Sequence, residues 1–272
     1  MAYATIMVHV GFDAFEPRVS LAAGLADRFE STFIGIAAYP PEPPFVWGGA
    51  GIGPLSTQRN IDELKLALDQ QEGQFRSIAM NGRRRIEWRS AIDLPTEFLA
   101  REARAADLVV IGGQHPAAHT YPSFDAAGFL IRAGRPVLMV PEGLNRLRTA
   151  RIVVAWKDTR EARRALSDSL PFLHEAEKVF VVQVCEEREA EPARRSVDDV
   201  VNYLIRHRIT TGAGVVLHAG NVTEGLLHIV HTEQIDLLVA GAHGSSRLGE
   251  WVFGGVTRDL LRESPVCCLF SH

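Results

Sequence analysis

The stretch Asp236-Leu-Leu-Val-Ala-Gly-Ala-His-Gly-Ser-Ser-Arg-Leu-Gly-Glu-Trp-Val-Phe-Gly-Gly-Val-Thr257 decides the fold. It opens with the apolar run Leu237 to Ala240, which has the length and bounds of a buried parallel strand, and the run breaks at Gly241 and Gly244. After nine residues comes Gly254-Gly255, and the apolar positions Val256, Leu260 and Leu261 have the spacing of a helix that starts there. Strand end, glycine turn and helix start together make an anion cradle. Glycines let backbone N–H groups approach a ligand, and the first turn of a helix carries donors with no intrahelical partner. Phosphate is the anion that suits it.

Upstream of this stretch, strand and helix patterns alternate. Strands are predicted at Ile6–Val10, Thr32–Ala38, Ile86–Ser90, Leu108–Ile111 and Pro136–Val140, with helices at Pro17–Phe29, Gln58–Asn81, Pro95–Ala105 and Asp125–Ala133. The Pro- and Gly-rich tract from Tyr39 to Pro54 holds no regular element. After a linker at Pro141–Leu147 the order repeats: strands Ile152–Trp156, Val179–Val184, Val215–His218, Leu237–Ala240 and Val266–Phe270, helices Glu161–Leu173, Val197–His207, Thr223–Gln234 and Val256–Arg262. Such alternation implies right-handed crossovers and a mainly parallel sheet covered on both faces.

The repeat has a measurable period. Asp107 and Asp236, Gly112 and Gly241, Phe124 and Phe253, and Pro136 and Pro265 are each 129 apart, whereas Asp13 and Asp158, after the first strands, are 145 apart. The difference of 16 matches the Tyr39–Pro54 loop. The expected fold class is α/β: two tandem doubly wound, Rossmann-like domains, 1–143 and 149–272, each a five-stranded sheet flanked by helices. The period of 129 also lands Gly254-Gly255 on Asp125-Ala126 and Gly244 on His115, so the first copy has lost the glycines and only the second is expected to bind.

The spacing Gly241-x2-Gly244-x9-Gly254-Gly255 resembles the nucleotide-binding signature of the universal stress protein family, Gly-x2-Gly-x9-Gly followed by Ser or Thr. The resemblance is carried by motif in the second copy and by element pattern in the first. It departs at Gly255, where the family has a hydroxyl that reaches a phosphate; Thr257 offers the next one. The family implies ATP or a related adenine nucleotide, with or without Mg2+, a regulatory or stress-response role, and association through the last strand. In a tandem chain that would join Pro136–Val140 to Val266–Phe270 as an intramolecular pseudo-dimer, with pairing of whole chains left open.

In an open α/β sheet the ligand lies beyond the carboxyl ends of the strands. The opposite wall of the pocket is then Ala155-Trp156-Lys157-Asp158, where the family commonly has an Asp that reads the adenine edge. Asp158 could do this, or could cap the next helix, since Asp158-x-x-Glu161 has capping-box form. Lys157 is either a phosphate partner or a solvated cation. By the same resemblance Val184 lines the adenine pocket, and otherwise it is simple core. His243, inside the glycine turn, is a phosphate donor or an exposed loop histidine. The expected nucleotide set is therefore Ala155, Trp156, Lys157, Asp158, Val184, Gly241, His243, Gly244, Gly254, Gly255, Val256 and Thr257. Asn221-x-x-Glu224 reads as a helix cap, and His115-x3-His119 lacks a third ligand in reach and is not expected to hold a metal. There is no Gly-x-Ser-x-Gly elbow, no Walker pattern and no catalytic set.

Composition bounds the alternatives. A net charge of −4 gives no global pull toward nucleic acid or an anionic membrane. Three cysteines, two adjacent at Cys267-Cys268 on one strand and so facing opposite ways, suggest a reducing compartment and no disulfide framework. With no basic leader and no bilayer-length apolar run, the expected place is the cytoplasm. Three functions remain: a nucleotide-binding regulatory module with an unidentified protein partner, a slow ATPase built on the same cradle, and a ligand-free scaffold.

Overall fold

The computed structural model describes residues 2–11, 13–40, 54–80, 85–113, 124–212, 214–217, 220–242, 244–247 and 250–272. In the first half of the chain the strands are β1 (Thr5–His9), β2 (Thr32–Tyr39), β3 (Ile86–Ile92), β4 (Leu108–Gly112) and β5 (Val137–Val140). The helices between them are α1 (Glu16–Arg28), α2 (Pro54–Ala79), α3 (Pro95–Glu102) and α4 (Ala126–Arg132). The second half has β6 (Arg151–Ala155), α5 (Arg160–Asp168), α6 (Leu170–Leu173), β7 (Lys178–Val184), α7 (Ala190–Arg206), β8 (Val215–Leu217), α8 (Val222–Thr232) and β9 (Leu237–Gly241). A hairpin follows, β10 (Gly244–Arg247) and β11 (Glu250–Phe253), then α9 (Gly255–Glu263) and β12 (Cys267–Ser271).

Ten strands form one sheet in the order β3-β2-β1-β4-β5-β12-β9-β6-β7-β8. Every pairing is parallel except β5 with β12, which run antiparallel with Leu138 opposite Leu269 and Phe270 opposite Val137. Both strands are buried throughout, consistent with their unbroken apolar sequences. Side chains alternate between two cores: Ile6, Val8, Val154, Leu138 and Leu269 share one face, and Met7, Val153, Met139 and Phe270 the other. Cys267 and Cys268 fall on opposite faces, and all three cysteines are free and buried. Burial pushes the Cys268 thiol up to about 12, so it packs as a small apolar group.

Helix ends follow local chemistry. Pro17 and Pro95 sit in the first turns of α1 and α3, where a missing N–H costs nothing. Asn221 caps α8 as expected, its side chain accepting from Thr223 N at 2.9 Å and Glu224 N at 3.4 Å. The single helix expected at Glu161–Leu173 is instead broken at Ser169, because Pro171 cannot continue a hydrogen-bonded ladder. Helix α7 begins at Ala190 rather than Val197; its first turns are charged and bury only Ala193, so periodicity could not find them. Most of the Tyr39–Pro54 tract and His218 lie outside the described residues. No described helix is long and apolar enough to cross a membrane.

The register corrects one sequence equivalence. Ile6 pairs with Leu108 and Ile152 with Leu237. Leu108 and Leu237 are one period apart, so Ile6 matches Ile152, and the first strands are offset by 146 (152 − 6) rather than 145. Asp13 and Asp158 are therefore not equivalent. The connection from β1 to α1 spans residues 10–15 and that from β6 to α5 spans 156–159, two residues fewer, so the third helical residues, Arg18 and Ala162, correspond.

Candidate functional site

Strand order reverses between β6 and β9, which places the second-half crevice at the carboxyl ends of these strands. Ala155 and Ala240 pair across it, and Gly241 ends β9. Gly241 is glycine for a packing reason: a β-carbon there would stand 2.5 Å from the Ala162 nitrogen, so the first turn of α5 rests on the strand end. The next residue, Ala242, is held by β12, its N–H donating to the Ser271 carbonyl at 2.8 Å, and the His272 ring lies 2.8 Å from its carbonyl oxygen.

The hairpin gives the nine-residue spacing a physical meaning. Gly244 pairs with Phe253 and Arg247 with Glu250, so the chain leaves the sheet at Gly244 and returns beside it. The two lips are thereby adjacent, and Gly254 becomes the residue before α9 with Gly255 as its first. Among the described side chains none caps this helix, so none of them takes up its first-turn N–H groups, which suit an anion. A β-carbon on Gly255 would meet open space, the nearest atom being Asp259 Oδ2 at 3.9 Å. Val256 is half-buried and Thr257 buried, so Thr257 does not stand at the open lip where the missing hydroxyl would be. His243 lies outside the described residues.

The facing wall is assembled differently from the sequence expectation. Trp156 is buried; its N–H donates to the Val182 carbonyl at 2.7 Å and its indole nitrogen to Ser196 Oγ on α7 at 2.9 Å, so it braces the wall from behind. Lys157 and Asp158 are exposed, and Asp158 is engaged by Arg163 at 2.6 and 3.0 Å. Asp158 does not cap α5. Thr159 does, its hydroxyl accepting from Ala162 N at 3.2 Å; both residues are good cap formers one position apart, and the sequence pattern favoured the wrong one. Ala155 and Val184 are only partly buried at their strand ends, which leaves apolar surface at the crevice.

In the corresponding region of the first half, charged side chains stand where the second half has glycine or bare backbone. Asp125 precedes α4 as Gly254 precedes α9, and a β-carbon on Gly128 would collide with the Asp125 carboxylate, which therefore lies over the first turn of its own helix. At the ends of β1 and β4 stands Arg18, which no sequence motif marks. It is 6% exposed, with Nε donating to the His9 carbonyl at 3.1 Å and both terminal nitrogens 2.9 Å from the Asp13 carboxylate oxygens. Burial pushes the Asp13 carboxyl up, but the hydrogen bonds and charge of Arg18 outweigh it and hold it below the ordinary carboxylate value. His9, packed on the Phe124 ring at 4.4 Å, is lowered to about 3 by burial and by the charge of Arg18, against the opposing pull of Asp13. His115 and His119 lie outside the described residues, and no group of three metal-binding side chains occurs among those described.

Comparison with known families matches residues 149–271 to the universal stress protein family. Among solved structures, a universal stress protein from Archaeoglobus fulgidus DSM 4304 superposes over 98% of this chain and 96% of its own, with a TM-score of 0.75 and 14% identity. A protein described as functionally unknown from Pseudomonas aeruginosa PAO1 covers 99% of this chain and 92% of its own, with a TM-score of 0.58 and 12% identity. At these identities the likeness is one of fold, and it extends over both halves. A universal stress protein in complex with cAMP covers 52% of this chain and 98% of its own, with a TM-score of 0.35 and 22% identity. Comparison with curated protein sequences gives no match.

Proposed function

Since residues 149–271 belong to the universal stress protein family, we propose that the second half binds an adenine nucleotide, with ATP as the leading ligand, and serves as a regulatory module. The reading is carried by one observation: the β10–β11 hairpin pairs Gly244 with Phe253 and so brings it next to Gly254 and Gly255 at the start of α9, by the switch point. The phosphates would lie on the first-turn N–H groups of α9, where the helix dipole favours negative charge. The base would rest on the apolar strand ends at Ala155 and Val184. Lys157 is exposed on the same crevice and free to approach phosphate oxygens, and His243, next to Gly244 in sequence, would be a second donor. Mg2+, if present, would arrive with the nucleotide. Residues 1–143 and 149–272 act as two units, of which only the second is a site, and the bound state is read by a protein partner.

The test is extraction. Purified protein is heat-denatured and the supernatant chromatographed for nucleotide, and stripped protein is then dialysed against ATP, ADP and AMP. Co-purified or retained adenine nucleotide at one per chain is the expected result. Protein that neither carries nor takes up any of the three would overturn the proposal. Steady ATP turnover with Mg2+ would replace the regulatory reading with an ATPase.

A further inference from the structure

The two crevices differ in what reaches the end of the second strand of each switch point. In the second half it is backbone: the first turn of α5, at Ala162, lies against Gly241. In the first half the corresponding helical residue is Arg18, and a β-carbon on Gly112 would collide with its Nη1. A side chain thus spans the gap that the longer β1–α1 connection opens. The guanidinium is held on three sides, by the His9 carbonyl, by both Asp13 oxygens, and by the bare backbone of Gly112. This is how a protein recognises a planar, fork-shaped cation: an in-plane bidentate carboxylate, a carbonyl for Nε–H and a flat, Cβ-free floor.

We propose that the first-half crevice is a guanidinium site occupied by the chain's own Arg18, a built-in ligand that leaves no room for an external nucleotide. The first clause stands on this geometry alone; the second rests on the nucleotide reading of the second half. The electrostatics agree with self-occupation, since Asp13 compensates a guanidinium that would otherwise be buried without a partner. A small open cleft of about 50 Å³, lined by Asp13, Pro17, Arg18, Gly112 and Glu142 among others, lies beside the guanidinium. A small solute can therefore reach the position once the side chain is removed.

The test is chemical rescue in the full chain. Arg18→Ala is expected to melt several degrees below wild type, and methylguanidinium, at concentrations too low to denature, to recover most of that loss while leaving wild type unmoved. Methylammonium, with the same charge but no fork, should recover little. Absence of rescue, equal rescue by the two cations, or an Arg18→Lys variant as stable as wild type would overturn the guanidinium site. If Arg18→Ala does not fold, the Arg18 Nε–H resonance of wild type decides: slow exchange with solvent is expected, and exchange at the rate of a free arginine contradicts the proposal. Two nucleotides bound per wild-type chain would defeat the second clause. No nucleotide binding at all would defeat the nucleotide reading instead and leave the rescue result standing.

Discussion

A β-carbon on Gly241 would stand 2.5 Å from the backbone nitrogen of Ala162 and 2.7 Å from the carbonyl carbon of Glu161. The most prominent glycine of the motif is thus demanded by a helix seated on a strand end before any ligand is considered. Gly241→Ala is expected to cost about 1–3 kcal/mol, the usual range for overpacking a rigid contact, because the neighbouring atoms are backbone and cannot swing aside. Urea denaturation measures it. A variant as stable as wild type would show that α5 can lift from β9 without cost.

Gly255 gives the opposite expectation. It is exposed, at the first position of α9, with open space where a side chain would begin. Gly255→Ser should change stability by no more than about 0.5 kcal/mol, as for an ordinary surface substitution. By adding a hydroxyl at the lip it should also tighten ATP binding, by about tenfold for one hydrogen bond to a charged group of about 1.5 kcal/mol. Titration calorimetry on both proteins checks this, and weaker binding by the variant would mean the phosphates do not lie at this lip.

The pH dependence of stability should carry the mark of His9. Its folded-state value, about 3, lies below the ordinary 6.5, so between these values the unfolded chain binds the proton and the folded chain does not. Stability is therefore full above about pH 6.5 and falls as pH drops toward 3, by up to about 1.4 kcal/mol per pH unit from this one group. Asp13, whose folded value is lowered, adds to the loss only below about pH 4, the ordinary carboxylate range. His9→Gln should flatten the upper part of the window, from pH 6.5 to about 4, in denaturation series at stepped pH. An unchanged slope would mean that His9 is protonated in the folded protein.

Leu138 and Leu269 face each other across the antiparallel β5–β12 pairing, each fully buried. Truncating either to Ala is expected to cost about 2–5 kcal/mol, as for other buried leucines. Because both cores run unbroken across this pairing, melting should remain a single transition. The halves 1–143 and 149–272, expressed separately, should bind each other. Halves that stay apart as soluble monomers would contradict that expectation.

What the sequence revealed depended on whether a residue's role is local. The strands around Val8, Val153 and Val239 and the glycine spacing were legible because burial on both faces and helix starts leave short-range patterns. The hairpin was not: Gly-Ser-Ser-Arg, residues 244–247, has no apolar alternation, and its pairing with Glu250–Phe253 shows only in the backbone. Thr159 was missed as the cap because Asp158, one residue earlier, fits the same chemistry with Glu161 at the expected distance. Arg18 was invisible for a different reason. Its partners, the His9 carbonyl, Asp13 and Gly112, converge only once β1 and β4 are neighbours, and no spacing in the sequence records that.

The single measurement that bears most directly on the nucleotide reading is calorimetric titration of ATP into wild type and Gly254→Asp. The substitution copies Asp125 of the first half onto the equivalent residue before α9. A carboxylate about 4 Å from a phosphate oxygen repels it by roughly 4 kcal/mol at an effective dielectric near 20. At about 1.4 kcal/mol per decade, that is nearly a thousandfold in affinity. Wild type should bind one ATP per chain, and at about 100 times its Kd gain roughly 2.7 kcal/mol of stability, while the variant folds normally and gains almost none. Equal binding by the two proteins, or none by wild type, would contradict a site at the α9 lip.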